Sequence, residues 1–202
     1  MLSTTNNINK EDVKLFFNRL ADSWDLQQIR EEEKIEKILD YAQIKEGVTV
    51  LDVACGTGVL IPDYLKRNVK RVTGVDISEE MIKRAKSKFQ HEKEVEFYCA
   101  DIETISLLEV YDTCMIYNAF PHFGNPNNLI KTLVQKIKPM GRLTIAHSMS
   151  REQLDKHHSG SAKKVSNGLI SEEELAELLS PYFKVDVKIS NEEMYIVSAV
   201  KK

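Results

Sequence analysis

The sequence has no apolar run of roughly 18 residues or more, so no segment reads as a membrane-spanning helix. Its first residues, Met1 to Asn7, lack the basic start and apolar core of a secretory signal. It has no block of lysine or arginine. With 28 basic and 31 acidic side chains the formal net charge is −3, which argues against a protein that lives on nucleic acid. There is no Cys-x-x-Cys pair for redox or zinc chemistry. The three cysteines, Cys55, Cys99 and Cys114, are odd in number and sit within apolar segments, so they read as reduced thiols of a cytoplasmic protein. Internal repeats and low-complexity tracts are absent as well. What remains is a chain of 202 residues, 42% apolar and 29% charged, the balance of one soluble domain with room for a sizeable core.

From residue 48 onward short apolar runs alternate with longer amphipathic ones. Val48–Ala54, Arg71–Val75, Val95–Cys99, Asp112–Tyr117 and Arg142–His147 are strand-like: short, rich in β-branched residues and bounded by Gly, Pro, Asp or Asn. Between them lie helix patterns. Val59–Arg67 follows a glycine-rich turn, and Glu79–Phe89 starts behind Ser78 as N-cap. Asn127–Lys138 follows Asn125 and Pro126 and stops at Pro139-Met140-Gly141. Ser171 and Glu174 form a capping box that opens a helix through Leu179. Such alternation gives a parallel sheet with helices on both faces. The last two strands, Lys184–Ile189 and Met194–Val200, are joined by four residues, too few for a crossover, so they pair antiparallel. The first 45 residues read as two amphipathic helices, Val13–Trp24 and Glu31–Ala42. Ser148–Gly168 is polar and weakly periodic, a long connection of the kind that is functional or disordered.

Chemistry concentrates at the ends of the first three strands. Val50-Leu51-Asp52-Val53-Ala54-Cys55-Gly56-Thr57-Gly58 runs from a buried strand into a helix through two glycines. Gly56 and Gly58 permit a tight turn and close approach of a ligand, above the Asp52 carboxylate. The second strand ends at Asp76-Ile77, where a carboxylate can accept hydrogen bonds from ribose hydroxyls. The third ends at Asp101-Ile102. This Asp can accept from an exocyclic amine while Ile77 and Ile102 sandwich a flat base.

These motifs, with Met81 after the second and Asn118 ending the fourth strand, resemble the class I S-adenosylmethionine-dependent methyltransferases. The small-molecule enzymes of ubiquinone and menaquinone biosynthesis are the most similar in character. Phe16-Phe17-Asn18-Arg19-Leu20-Ala21-Asp22-Ser23-Trp24-Asp25 is similar to the segment that forms a lid in many of them. The resemblance implies a Rossmann-like α/β fold, a seven-stranded and mostly parallel sheet with an antiparallel C-terminal hairpin. Residues 1–45 would form the helical lid and 46–202 the methyltransferase domain. It also implies S-adenosylmethionine as cofactor, its methionine part surrounded by Asp52, Ala54, Gly56 and Gly58. Asp76 would hold the ribose, Ile77, Met81 and Ile102 the adenine ring, and Asp101 the adenine amine, with Asn118 at the family's fourth motif. Ala54 departs from the family's glycine, which matters if the backbone there needs a positive φ.

Methyl transfer of this kind is in-line displacement, so the enzyme positions a small acceptor and supplies a base where a proton must leave. His122 and His147 are the candidates, and Phe16, Phe17, Trp24, Phe120 and Phe123 could line an acceptor pocket. His122, His147, His157 and His158 also suggest an alternative, a non-catalytic module that binds the cofactor or a metal. A nicotinamide enzyme is disfavoured by Leu60, which stands where a third small residue belongs. Asn118-Ala119-Phe120-Pro121 is superficially similar to a nucleic-acid amino-methyltransferase motif, but the prolines differ and no basic channel accompanies it.

Overall fold

β1 (Thr49–Val53) is buried along its whole length and lies in the interior of the sheet. The computed structural model describes residues 8–27, 29–157 and 164–202. Around β1 stand β2 (Arg71–Asp76), β3 (Val95–Cys99), β4 (Tyr111–Tyr117), β5 (Ile137–His147), β6 (Phe183–Ser190) and β7 (Tyr195–Lys201). Their order is β3-β2-β1-β4-β5-β7-β6, with β1 to β5 parallel and β7 antiparallel to both β5 and β6. This is the mostly parallel sheet with antiparallel C-terminal strands expected from the sequence. Strand order reverses between β1 and β4, and such a switch point leaves a crevice at the carboxyl edge.

Helices cover both faces. α2 (Glu32–Tyr41), α3 (Ile61–Lys66) and α4 (Glu79–Lys88) bury Ile35, Ile38, Leu39, Tyr64 and Ile82 against Val50, Val72 and Met115. α5 (Pro126–Lys136) and α7 (Glu172–Leu179) bury Leu129, Leu133, Leu175 and Leu179 against Leu51, Val53 and Ile116. Adjacent strand residues thus serve opposite layers, as a period of two requires. Of the first 45 residues, α1 (Lys10–Gln27) packs on α4 and over the carboxyl edge, whereas α2 belongs to the core.

Caps fix the helix starts. Ser78 Oγ accepts from the Met81 N–H, Asn125 Oδ1 from Asn128, and Ser171 with Glu174 forms the reciprocal box. Two boundaries differ from expectation. The polar stretch after residue 147 contains α6 (Arg151–His157), opened by Ser150, whose Oγ accepts from the Gln153 N–H while Gln153 Oε1 accepts from the Ser150 N–H. The start of β5 is irregular: Pro139-Met140-Gly141 lies inside the strand, beside a register shift against β4. A Cβ at Gly141 would come within 2.9 Å of the Asp112 carbonyl oxygen, so only glycine lets the strands approach there.

Candidate active site

A cleft of about 920 Å³, part of it open to solvent, lies over the carboxyl ends of β1, β2, β3 and β4. Its floor is the loop after β1. Ala54, Gly56 and Gly58 all have positive φ, +56°, +54° and +82°. For Ala54 the left-handed region costs about 1–2 kcal/mol, a strain that glycine would avoid. The two glycines do different work. A Cβ on Gly58 would fall 2.7 Å from the Phe89 ring, so Gly58 serves packing of the loop on α4. A Cβ on Gly56 would meet only Trp24 Nε1, at 4.0 Å. Gly56 lines the cleft and Gly58 does not.

Asp76 organises this floor. Its Oδ2 accepts from the Gly56 N–H and its Oδ1 from the Ser78 N–H, both at 2.8 Å. It ties the first loop to the start of α4 and still presents lone pairs beyond those two bonds. Burial pushes its carboxyl up, and the N–H donors oppose that shift. Asp52 stands behind it, buried, outside the cleft lining, with no hydrogen-bond partner for Oδ2. Burial, then the Asp76 charge, pushes the Asp52 carboxyl up to about 8, so it holds a proton at neutral pH.

At the β3 tip, Asp101 accepts from Lys10 Nζ at 2.6 Å, and Lys10 also pairs with Glu103. Ile77, Met81, Ala100 and Ile102 form apolar walls beside it. At the β4 tip, Asn118 takes φ +54° and exchanges two hydrogen bonds with Ser148. Tyr117 and Ala119 line the cleft on either side of it.

α1 closes the top. Asn18 Oδ1 accepts from Ser78 Oγ at 2.7 Å, and Asp25 accepts from Thr57 Oγ1 and Lys88 Nζ. These bonds hold Phe17 and Trp24 over the cleft, with Phe123 on the opposite side. The Phe17 ring meets His122 edge-on, centroids 4.9 Å apart. His122 Nδ1 lies 2.8 Å from the Val165 carbonyl oxygen. Phe120 is in the core and Phe16 packs with Val165, so neither lines the cleft.

The structure therefore gathers Ala54, Gly56, Asp76, Ile77, Met81, Asp101, Ile102, Asn118 and His122 into one cleft, with Asp52 and Gly58 behind it. His147 is elsewhere: fully buried, its ring is 6.2 Å from that of Tyr195 in the sheet. Among the described residues no group of three or more His, Cys, Asp or Glu could hold a metal ion. The side chains of His157 and His158 lie outside the described residues.

Residues 50–141 match the family described as methyltransferase domain. That stretch of the chain resembles a methyltransferase domain. It is 32% identical over 142 residues to a malonyl-[acyl-carrier protein] O-methyltransferase of Acetivibrio thermocellus, over 69% of this chain and 50% of that protein. To a ubiquinone biosynthesis O-methyltransferase of Coxiella burnetii it is 29% identical over 150 residues, 71% of this chain and 64% of that one. The chain thus spans between half and two thirds of these relatives. The N-methyltransferase NodS of Bradyrhizobium japonicum, in complex with S-adenosyl-L-homocysteine, shares the fold at a TM-score of 0.73 and 16% identity, over 94% of this chain and 98% of that one. A S-adenosylmethionine-dependent methyltransferase of Aquifex aeolicus does so at 0.70 and 24%, over 96% and 99%. The methyltransferase domain match begins in β1 and ends in β5, so it contains every strand tip that lines the cleft.

Proposed function

We propose that this domain binds S-adenosylmethionine in the cleft and methylates a small-molecule acceptor, with His122 removing the acceptor's proton. The residues present fit that cofactor. Gly56 offers main chain with no side chain toward the cleft, and Asp76 offers a carboxylate already aligned by two N–H donors. Ile77 and Ile102 give apolar surface for a flat base. When bound, the cofactor supplies an electrophilic methyl group.

The chain's own work is positional. Asp76 and Asp101 orient polar groups at the β2 and β3 tips, while Phe17, Trp24 and Phe123 exclude water and take up an apolar acceptor. His122 donates from Nδ1 to the Val165 carbonyl and stands in the cleft lining beside Phe17, placed to take the proton that a hydroxyl must lose. The ubiquinone biosynthesis relative is an O-methyltransferase, and a hydroxyl acceptor is the kind that needs such a base. We read α1 as the lid, and the three free cysteines suit a cytoplasmic protein. Among the described residues no helix is long and apolar enough to cross a membrane.

The observation that carries this reading is Asp76 clamped between Gly56 and Ser78 at the carboxyl edge of the sheet. Calorimetric titration with S-adenosylmethionine tests it, and a protein that takes up none would refute the reading.

A further inference from the structure

α1 covers the cleft while burying little of itself. Of its 18 residues only Val13 and Ala21 are buried, whereas α2 buries three in ten. It thus has less apolar burial to hold it than a core helix has. In its place runs a polar stripe at positions 10, 14, 18, 22 and 25, a spacing of three or four that falls on one face of a helix. Lys10 pairs with Asp101 at 2.6 Å and with Glu103. Lys14 pairs with Glu79 at 2.8 Å. Asn18 Oδ1 accepts from Ser78 Oγ and the Glu80 N–H. Asp22 pairs with Arg84, and Asp25 with Lys88 at 2.8 Å.

The charges are sorted along this seam. The basic end of the stripe meets Asp101, Glu103 and Glu79, and the acidic end meets Arg84 and Lys88, so α1 and α4 lie parallel. Reversed, α1 would bring like charges together. Asp22 and Asp25 also oppose the dipole of α1, whose last turn has no basic residue, while Lys88 complements that of α4. The two aspartates therefore gain from docking and not from α1 itself. In every pair at least one side chain is exposed, so salt screens the seam. Beyond α1 the chain is fixed differently, by Arg30 on the buried Asp63 and the Val59 carbonyl oxygen.

Phe17 and Trp24 belong to the same helix and line the cleft, with Trp24 Nε1 above Gly56. α1 cannot leave α4 without lifting both rings. We propose that the charged seam is a latch that seats Phe17 and Trp24 over the cleft, and that the cleft opens to its cofactor when the seam parts. The exchange step rests on the cofactor reading above. The seating of α1 does not.

Trp24 is the only tryptophan in the chain, so its quenching by acrylamide reports the seating of α1 in the ligand-free protein. Raising NaCl to about 1 M, where the screening length is about 3 Å, is expected to raise the quenching constant about twofold. Asp22→Arg and Arg84→Asp should each raise it already at low salt, and the two together should restore the wild-type value. Cooperative thermal unfolding of each variant checks that the fold is kept. The two single variants should also speed dissociation of S-adenosylhomocysteine about fivefold, and the double exchange should reverse this. Quenching that ignores salt and both single variants, or that the double exchange does not restore, would overturn the latch. Altered quenching with an unchanged dissociation rate would overturn the gating. A protein that takes up no S-adenosylhomocysteine would refute the proposed function, while quenching still decides the latch.

Discussion

In the half of the cleft built on the β1 and β2 tips, main-chain N–H groups bond to Asp76: Gly56 and Ser78 to its carboxylate, Ala100 to its carbonyl oxygen. In the half roofed by α1 and residues 165–167, contacts join segments distant in sequence: Phe17 against His122, and His122 against the Val165 carbonyl. The first half is set wherever parallel strands end and helices begin, because strand tips and cap geometry fix it locally. The second exists only once α1, the turn after β4 and residues 165–167 have packed together. A sheet edge can therefore keep one cofactor site while its roof is rebuilt for another acceptor.

If the halves are separable, His122→Ala lowers kcat about 100-fold, the ordinary contribution of a general base, and leaves affinity for S-adenosylhomocysteine within about threefold. An equal loss in both quantities would show that the roof and floor act as one site.

Asp52 probes the floor alone. Its carboxyl is raised to about 8 by burial and then by Asp76, so the folded chain keeps a proton that the unfolded chain releases. Stability from this group is fully present below the unfolded value and is lost as pH rises through the folded one. Urea unfolding should therefore show the wild type losing more than about 2 kcal/mol between about pH 5 and about pH 8. The Asp52→Asn variant should lose less than half as much. Parallel profiles would mean that Asp52 is ionised in the fold.

Ala54→Gly has the smallest effect. Relief of the left-handed strain, offset by glycine's greater freedom when unfolded, should raise stability by less than about 1 kcal/mol. Cofactor affinity should be unchanged. A drop in melting temperature would show that the alanine methyl is needed in the loop.

The same contrast explains what could be read in advance. Asp76 and Gly56 were legible because their chemistry lies within one strand–turn–helix unit each, and Ser78, Asn125 and Ser171 caps are equally local. α6 was hidden although Ser150 and Gln153 spell a cap, because the polar residues after it carry no apolar stripe. Pro139 and Gly141 read as a helix stop, yet their positions answer to β4 across the sheet. His147 stands at a strand end like Asp76, but the alternation of β5 puts it with Ile145 on the α7 face, away from the cleft. Nothing near Lys10 or Val165 in sequence marks them. Their partners are brought to them by packing alone.

The central claim is that the cofactor sits on the β1–β2 floor organised by Asp76. Calorimetry with S-adenosylhomocysteine on wild type and Asp76→Ala, with thermal unfolding of both, tests it most directly. The account predicts micromolar binding by the wild type and at least about a 100-fold loss in the variant, which still unfolds cooperatively though at lower temperature, since the Gly56 and Ser78 N–H groups lose their partner. Binding of equal strength in the two proteins would contradict it.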